Sequence, residues 1–269
     1  MAQKVFFVKR HAFWVRLSHW INVVPLFILV MSGFQIFNAH PRLYWGDRSD
    51  RNHAFLAIQS KITDGNNIKG NLIILGHPFN TTGFLGESSG RNGEISKVAF
   101  PRWLTIPGYQ SLAMGRRWHF FFAWVFVLNG LLFIFYSFLF GHFLKDLIPS
   151  LKEIREIKKS LVEHLLFRHP KGEEAAHYNI LQKLAYLGVL FMLAPVMILS
   201  GMAMSPRIDA IFPWLIEVFG GRQSARSIHF ISCFLFVGFF IIHIIMVLTT
   251  GVWNNLRSMI TGRFKIQIK

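Results

Sequence analysis

The chain is poor in cysteine and in acidic residues. Cys233 is its single cysteine, which excludes an intrachain disulfide, a haem attached covalently through C-x-x-C-H, and an iron–sulfur cluster held by cysteines. Any redox centre is therefore expected to be non-covalent and bound by histidine. Asp and Glu number 13 against 29 Lys and Arg. No aromatic-interleaved basic module accompanies this positive charge outside the apolar runs, so we expect no nucleic-acid partner.

Charge of either sign is also scarce along most of the chain. Charged residues make up 16% of it. Lys183 is the only charged residue in four long apolar runs, which lie at about 17–37, 118–140, 180–204 and 227–250. Each run is long enough to cross a bilayer, and lipid allows such a segment to be only a helix. The sequence predicts an all-α membrane protein: a four-transmembrane-helix bundle forming a single domain over 1–269. The first run lacks an A-x-A-like cleavage site, so we expect it to be retained.

Basic residues predict the orientation of the spans. Lys and Arg are abundant between the second and third runs and after the fourth, which predicts that both termini and the second connection lie in the cytoplasm. Leucines at helical spacing in that connection predict an amphipathic helix on the inner membrane surface. The connection 40–117 is basic too, but it exceeds the length over which the rule holds, so we expect it outside the inner membrane.

Two histidines, His229 and His243, lie fourteen positions apart in the fourth run. Fourteen residues advance a helix by about 21 Å and return it to within about 40° of the starting direction. Both imidazoles therefore point the same way, at two membrane depths. An ionisable side chain inside a membrane is costly and by default marks a functional site.

Two further histidines match these depths. His19 begins a span that starts in the cytoplasm, and His119 begins one that starts outside. The predicted topology therefore pairs His119 with His229 near the outer face and His19 with His243 toward the inner face. Facing imidazoles on neighbouring helices are what bis-histidine ligation of b-type haem needs, so the sequence predicts two haem b groups with these four iron ligands. The alternative for His19 and His119 is an interfacial histidine satisfied by water or headgroups.

Glycines and arginines add weaker signals. Four glycines lie inside the runs: Gly33, Gly130, Gly201 and Gly238. They either admit a flat macrocycle close to the backbone or serve ordinary helix packing. Haem propionates attract guanidinium groups, for which Arg16 and Arg226 are candidates; each is alternatively an interface anchor.

Four sequence elements resemble a known family. They are RLSHW (residues 16–20), RRWHFF (116–121), HYNILQK (177–183) and the pair His229 and His243. They are similar to the di-haem cytochrome b subunits that anchor thiosulfate reductase, formate dehydrogenase (gamma subunit) and nickel-iron hydrogenase in bacterial membranes. The resemblance implies the same pairing of histidines. It also implies a quinone site near the inner haem that includes Asn179, although an asparagine at a helix start is by itself more often a cap.

The function implied by the resemblance is transmembrane electron transfer through two b-type haems. Electrons would pass between the quinone pool and an extracytoplasmic redox subunit, with a molybdenum enzyme as the first candidate. The alternative is a self-contained haem oxidoreductase that couples quinone to a small oxidant such as superoxide. Aromatic residues of the outer connection either dock the partner or form a self-packed core: Tyr44, Trp45, Phe79, Phe84, Phe100 and Trp103.

Overall fold

Four helices of the computed structural model are long and apolar enough to cross a membrane. They are Phe13–Phe37, Leu112–Leu139, Ile180–Ala203 and Arg222–Thr249. The structure describes residues 4–63, 67–89, 95–141, 143, 147–166 and 178–268. Each predicted run coincides with one of these helices, and three of the helices begin four to six residues earlier than the run because polar residues at their starts are helical too. His177, the first residue of the third motif, lies outside the described residues.

The chain is divided into two compact units. The terminal unit contains Met1–Asn22, Leu128–Pro195 and Phe234–Lys269, and the central unit contains Val23–Val127 and Val196–Cys233. Helix α1 (Phe13–Phe37), α2 (Leu112–Leu139) and α9 (Arg222–Thr249) each contribute to both units. A single membrane domain over 1–269 stays a prediction.

The two ends of the chain meet in the terminal unit. Strand β1 (Lys4–Lys9) pairs antiparallel with β8 (Arg263–Ile268), which follows α10 (Val252–Thr261). The Arg10 guanidinium lies 4.5 Å from the centre of the buried Phe264 ring and donates a hydrogen bond to Asn255 Oδ1 at 3.1 Å. Burial lowers the pKa of Arg10, yet a guanidinium stays charged in proteins. This cation–π contact therefore ties the first strand to the last.

The connection between the second and third spans contains α3 (Leu151–Arg155) and α4 (Ile157–Leu165). One amphipathic helix was expected here, but the described part is two short helices, because Glu156 leaves helical geometry at φ −92° and ψ 6°. Glu153 belongs to a capping box with Ser150 and pairs with Lys183 Nζ at 2.9 Å. Partial burial opposes ionisation of Glu153, but the bonds from Lys183 and Ser150 outweigh it and lower the pKa of that carboxyl.

The third span is interrupted by a wider turn. Helix α5 (Ile180–Gly188) runs into a π-helical turn (Val189–Leu193) and then into α6 (Ala194–Ala203). Pro195 has no N–H for the carbonyl four residues earlier, and a π turn directly before a proline is one way in which a helix absorbs the missing bond. The segments α7 (Pro206–Ile211) and α8 (Trp214–Val218) then lead to α9.

The connection 40–117, between the first and second spans, contains six strands in its described part. They are β2 (Arg42–Leu43), β3 (Leu56–Thr63), β4 (Asn67–Ile74), β5 (His77–Asn80), β6 (Gly86–Ser89) and β7 (Ile95–Val98). The first four form an antiparallel sheet in that order, and β6 pairs with β7. The all-α prediction thus holds for the spans and is wrong for this connection and for the terminal strands β1 and β8. The strands of this connection contain isoleucines, which as β-branched residues favour extended backbone, but these alternate only partly with polar residues.

Phenylalanines attach the strands β2 to β7, here called the β segment, to the end of α1. Phe34 stacks on Phe100 with ring centres 4.0 Å apart, and Phe37 packs edge-on against the same ring. The Asn38 side chain makes two bonds to the Phe100 backbone: Nδ2 donates to the carbonyl at 3.0 Å, and Oδ1 accepts from the amide at 2.7 Å. The end of α1 is therefore fixed by both apolar burial and hydrogen bonds.

The six aromatic residues predicted for the connection 40–117 divide between the two predicted roles. Tyr44 and Phe100 are buried in the core of the central unit. The others are more than half exposed: Trp45, Phe79, Phe84 and Trp103. A self-packed core and an exposed aromatic surface therefore coexist in this segment.

The Gly46 carbonyl and the Asp47 side chain cap the start of α9. The Gly46 carbonyl accepts from the amides of Gln223 and Ser224, and Asp47 Oδ1 accepts from the Arg222 amide at 3.2 Å. Gly221, at φ 112°, lies so close that a Cβ would stand 2.5 Å from the Gly46 carbonyl. These bonds satisfy donors that a helix start leaves free.

Candidate functional site: two histidine pairs

The terminal unit brings together His19 on α1 and His243 on α9. Their ring centres are 6.2 Å apart and their planes are inclined at 55°. Phe239, one turn before His243, lies nearly parallel to its ring at 6.2 Å. His19 Nδ1 is buried and has no hydrogen-bond partner among the residues that the structure describes.

The central unit brings together His119 on α2 and His229 on α9. Their ring centres are 6.1 Å apart and their planes are inclined at 64°. Both histidine pairs predicted from the topology are thus adjacent in the structure, at nearly equal spacing.

The hydrogen bonds of His119 define its tautomer. Ser32 Oγ donates its single hydrogen to the Ile28 carbonyl at 2.6 Å, so it acts as an acceptor toward His119 Nδ1 at 3.1 Å. The proton of the neutral imidazole is therefore on Nδ1. The lone pair is on Nε2, which is the atom free to bind a metal.

His229 has the same arrangement. Its Nδ1 lies 2.9 Å from the Met197 carbonyl, which only accepts, and 3.2 Å from Ser200 Oγ. The proton is again on Nδ1 and the lone pair on Nε2. A metal-binding histidine commonly has its other ring nitrogen held in this way.

The spacing of both pairs suits two imidazoles on one metal ion. With metal–nitrogen bonds of about 2.0 Å and ring nitrogens about 1.1 Å from the ring centre, two opposed imidazoles have centres about 6.2 Å apart. In the described part of the chain, no group of three or more His, Cys, Asp or Glu gathers at one place. Each pair therefore supplies two ligands only, and the remaining positions suit a macrocycle with four nitrogens of its own.

A comparison with a protein family identifies the macrocycle that suits these histidine pairs. Residues 10–262 match the family model of prokaryotic cytochrome b561. The chain belongs to this family. Membership implies haem b as the cofactor, makes the chain an integral membrane protein and assigns it to haem-dependent transmembrane electron transfer. The chain is also similar to the putative protein-methionine-sulfoxide reductase subunit YedZ1 of Azospira oryzae, at 27% identity over 241 residues, which cover 88% of this chain and 89% of the relative.

Two of the four glycines in the predicted runs adjoin histidines of this cytochrome. A Cβ on Gly33 would lie 3.5 Å from His119 Cε1, and a Cβ on Gly201 would lie 3.0 Å from His229 Cε1. A Cβ on Gly130 or Gly238 would meet nothing within 4 Å among the described atoms. The first two glycines therefore make room for the imidazole rings themselves.

The two arginines proposed for the propionates already make contacts to the protein. In the terminal unit, Arg16 Nη1 donates to the Ile260 carbonyl, and its buried Nε has no partner within the described segments. In the central unit, Arg226 Nη2 donates to the His40 carbonyl, and its guanidinium lies 5.6 Å from the centre of the Phe37 ring. A guanidinium has five N–H donors, so each arginine keeps capacity for a carboxylate.

Asn179 is the N-cap of α5. Its Oδ1 accepts from the Gln182 amide at 2.9 Å, and Gln182 Oε1 accepts from the Asn179 amide at 3.2 Å, which completes a capping box. The next residue on its N-terminal side, Tyr178, has its hydroxyl 3.0 Å from Nδ1 of the buried His11. The cap uses only the oxygen of the Asn179 side chain, so a quinone contact through Nδ2 stays a prediction.

Ser32 and Ser200 were not predicted from the sequence. Both are fully buried, and each is followed by a glycine that adjoins the same histidine. The repeated Ser-Gly step in two different spans is the signal that would have found them.

Proposed function

We propose that the protein holds two haem b groups, one at each histidine pair, and carries electrons between the quinone pool and an extracytoplasmic redox enzyme. The observation that supports this most directly is the spacing of the rings, 6.2 Å for His19 and His243 and 6.1 Å for His119 and His229. Haem b bound between two imidazoles supplies one-electron oxidation and reduction, and so divides the two-electron chemistry of a quinol.

The ligand set favours electron transfer over reaction with a small oxidant. Two histidines would hold the iron at each site, His19 with His243 and His119 with His229, whereas binding of a small oxidant would need an iron position that no protein side chain occupies. The Nδ1 bonds of His119 and His229 fix their rings against α1 and α6. Rigid ligands favour fast electron transfer because little has to reorganise between the two redox states.

We place the quinone site beside His19 and His243. Asn179 and the hydrogen-bonded pair of Tyr178 and His11 belong to the same terminal unit as these histidines. An amide or a phenol can hydrogen-bond a quinone carbonyl, and a phenol–imidazole pair can accept the proton that a quinol releases. We assign this side to the cytoplasm, together with both chain termini.

We place the partner on the β segment of the central unit. The name of the relative makes it a subunit of a protein-methionine-sulfoxide reductase, so a separate reductase subunit is the partner class that we propose, with a molybdenum centre as the resemblance implies. Phe84 and Trp103 are 59% and 65% exposed, and their ring centres lie 6.4 Å apart. Exposed aromatics of this kind are enriched at protein interfaces.

The proposal is tested with the purified protein and with membranes that contain it. We expect two haems per chain, reduction by quinol, and co-purification of a soluble redox subunit. Trp103→Ser should slow electron delivery to that subunit without changing haem content. Trp253→Ser, on α10 and 79% exposed, is the matched control and should change neither. Full turnover with superoxide by the isolated chain would instead support the self-contained oxidoreductase.

A further inference from the structure

Two Ser-Gly steps on different helices contact the two histidines of the central unit. Ser32 lies 3.1 Å from His119 Nδ1, and Ser200 lies 3.2 Å from His229 Nδ1. Both serines have zero exposure. The two serines belong to different spans. The same contact between a serine Oγ and a histidine Nδ1 therefore occurs twice, once for each ring of the pair.

His19 of the terminal unit differs in this respect. His19 Nδ1 is buried and has no hydrogen-bond partner in the described ranges. An imidazole whose Nδ1–H donates a hydrogen bond gains electron density at Nε2 and becomes a more basic ligand. A more basic axial ligand stabilises ferric iron relative to ferrous iron and so lowers the reduction potential.

We propose that Ser32 and Ser200 are positioning residues that give the haem at His119 and His229 a lower reduction potential than the haem at His19 and His243. This inference rests on the proposed function, which assigns a haem to each pair. The serines touch neither iron nor porphyrin in this account, because they act through Nδ1 of the two ligands.

The two serines should not contribute equally. His229 Nδ1 keeps the Met197 carbonyl at 2.9 Å when Ser200 is removed. The Leu29 carbonyl also interacts with His119, but the nearest hydrogen-bond partner of His119 Nδ1 is Ser32 at 3.1 Å. Ser32→Ala should therefore have the larger effect on the potential.

The test is a redox titration of the intact two-haem protein, followed by absorbance. Ser32→Ala should raise one midpoint potential by up to about 59 mV, which corresponds to a tenfold change in the one-electron equilibrium constant. Ser200→Ala should raise the same midpoint by less, and Ser32→Thr, which keeps the hydroxyl, should restore it. Ser137→Ala, a buried serine on α2 in the terminal unit, is the control and should shift neither midpoint.

The His243→Ala background assigns the shifted component, since only the haem at His119 and His229 should remain there. An unchanged midpoint in Ser32→Ala, or a shift confined to the other haem, would overturn the inference. Loss of haem from Ser32→Ala with an unshifted remaining midpoint would also contradict it, because that is the result of a structural role. Failure of the proposed function looks different: the wild-type protein would then bind fewer than two haems.

Discussion

Gly201→Ala tests how tightly the ligand His229 is enclosed. The new Cβ would lie 3.0 Å from His229 Cε1, which is 0.4 Å short of the 3.4 Å at which ordinary contact begins. The ring cannot retreat freely, because its Nδ1 is held by the Met197 carbonyl at 2.9 Å. We expect haem affinity at this pair to fall about tenfold, or about 1.4 kcal/mol.

Helix propensity works in the opposite direction. Alanine is favoured over glycine inside a helix by about 1 kcal/mol, so the variant should fold at least as well as the wild type. Reduced haem retention would then report the crowded ring and not unfolding.

The assay is the rate of haem loss from the purified protein to excess apomyoglobin. Gly33→Ala, whose Cβ would stand at an ordinary 3.5 Å from His119 Cε1, should lose haem at nearly the wild-type rate. Gly188→Ala, which meets nothing within 4 Å among the described atoms, is the second control. Equal rates for Gly201→Ala and the wild type would refute the reasoning.

Two further predictions concern stability. Asn38→Ala removes both bonds to the Phe100 backbone and should destabilise the β segment by about 1–3 kcal/mol, measured as lower resistance of this segment to proteolysis; Asn80→Ala, whose bonds are local to an exposed turn, should have little effect. The lowered pKa of Glu153 means that its stabilising contribution is present above the ordinary value of 4.5 and is lost as the pH falls through the folded-state pKa. Pepsin cleavage between the second and third spans should therefore accelerate more in the wild type than in Glu153→Gln as the pH falls below about 4.5, and the same pH profile for both proteins would contradict this.

The sequence predicted the spans and the histidine partners because both follow from strong physical constraints. A bilayer fixes the length of a helix, and the fourteen-residue spacing of His229 and His243 fixes two depths on one face. The β segment was harder to predict, because its strands are short and their alternation is weak beside four long apolar runs. Ser32 and Ser200 were not predicted either, because a serine in a span most often bonds only to its own helix and their one signal, a glycine directly after each serine, is weak.

Two different predictions apply to Asn179, and only the cap is seen in the structure. From the residues alone it is a cap, and the structure has that cap. The quinone role came from family resemblance, which carries information about a ligand that backbone geometry does not encode.

The most direct test of the two-pair assignment is the haem content of the four single histidine variants. Replacing His19 or His243 by alanine should remove one and the same haem, and replacing His119 or His229 should remove the other, each leaving one haem per chain with its own spectrum. Two haems retained in His243→Ala, or the loss of different haems from His19→Ala and His243→Ala, would contradict the pairing on which the proposed electron path depends.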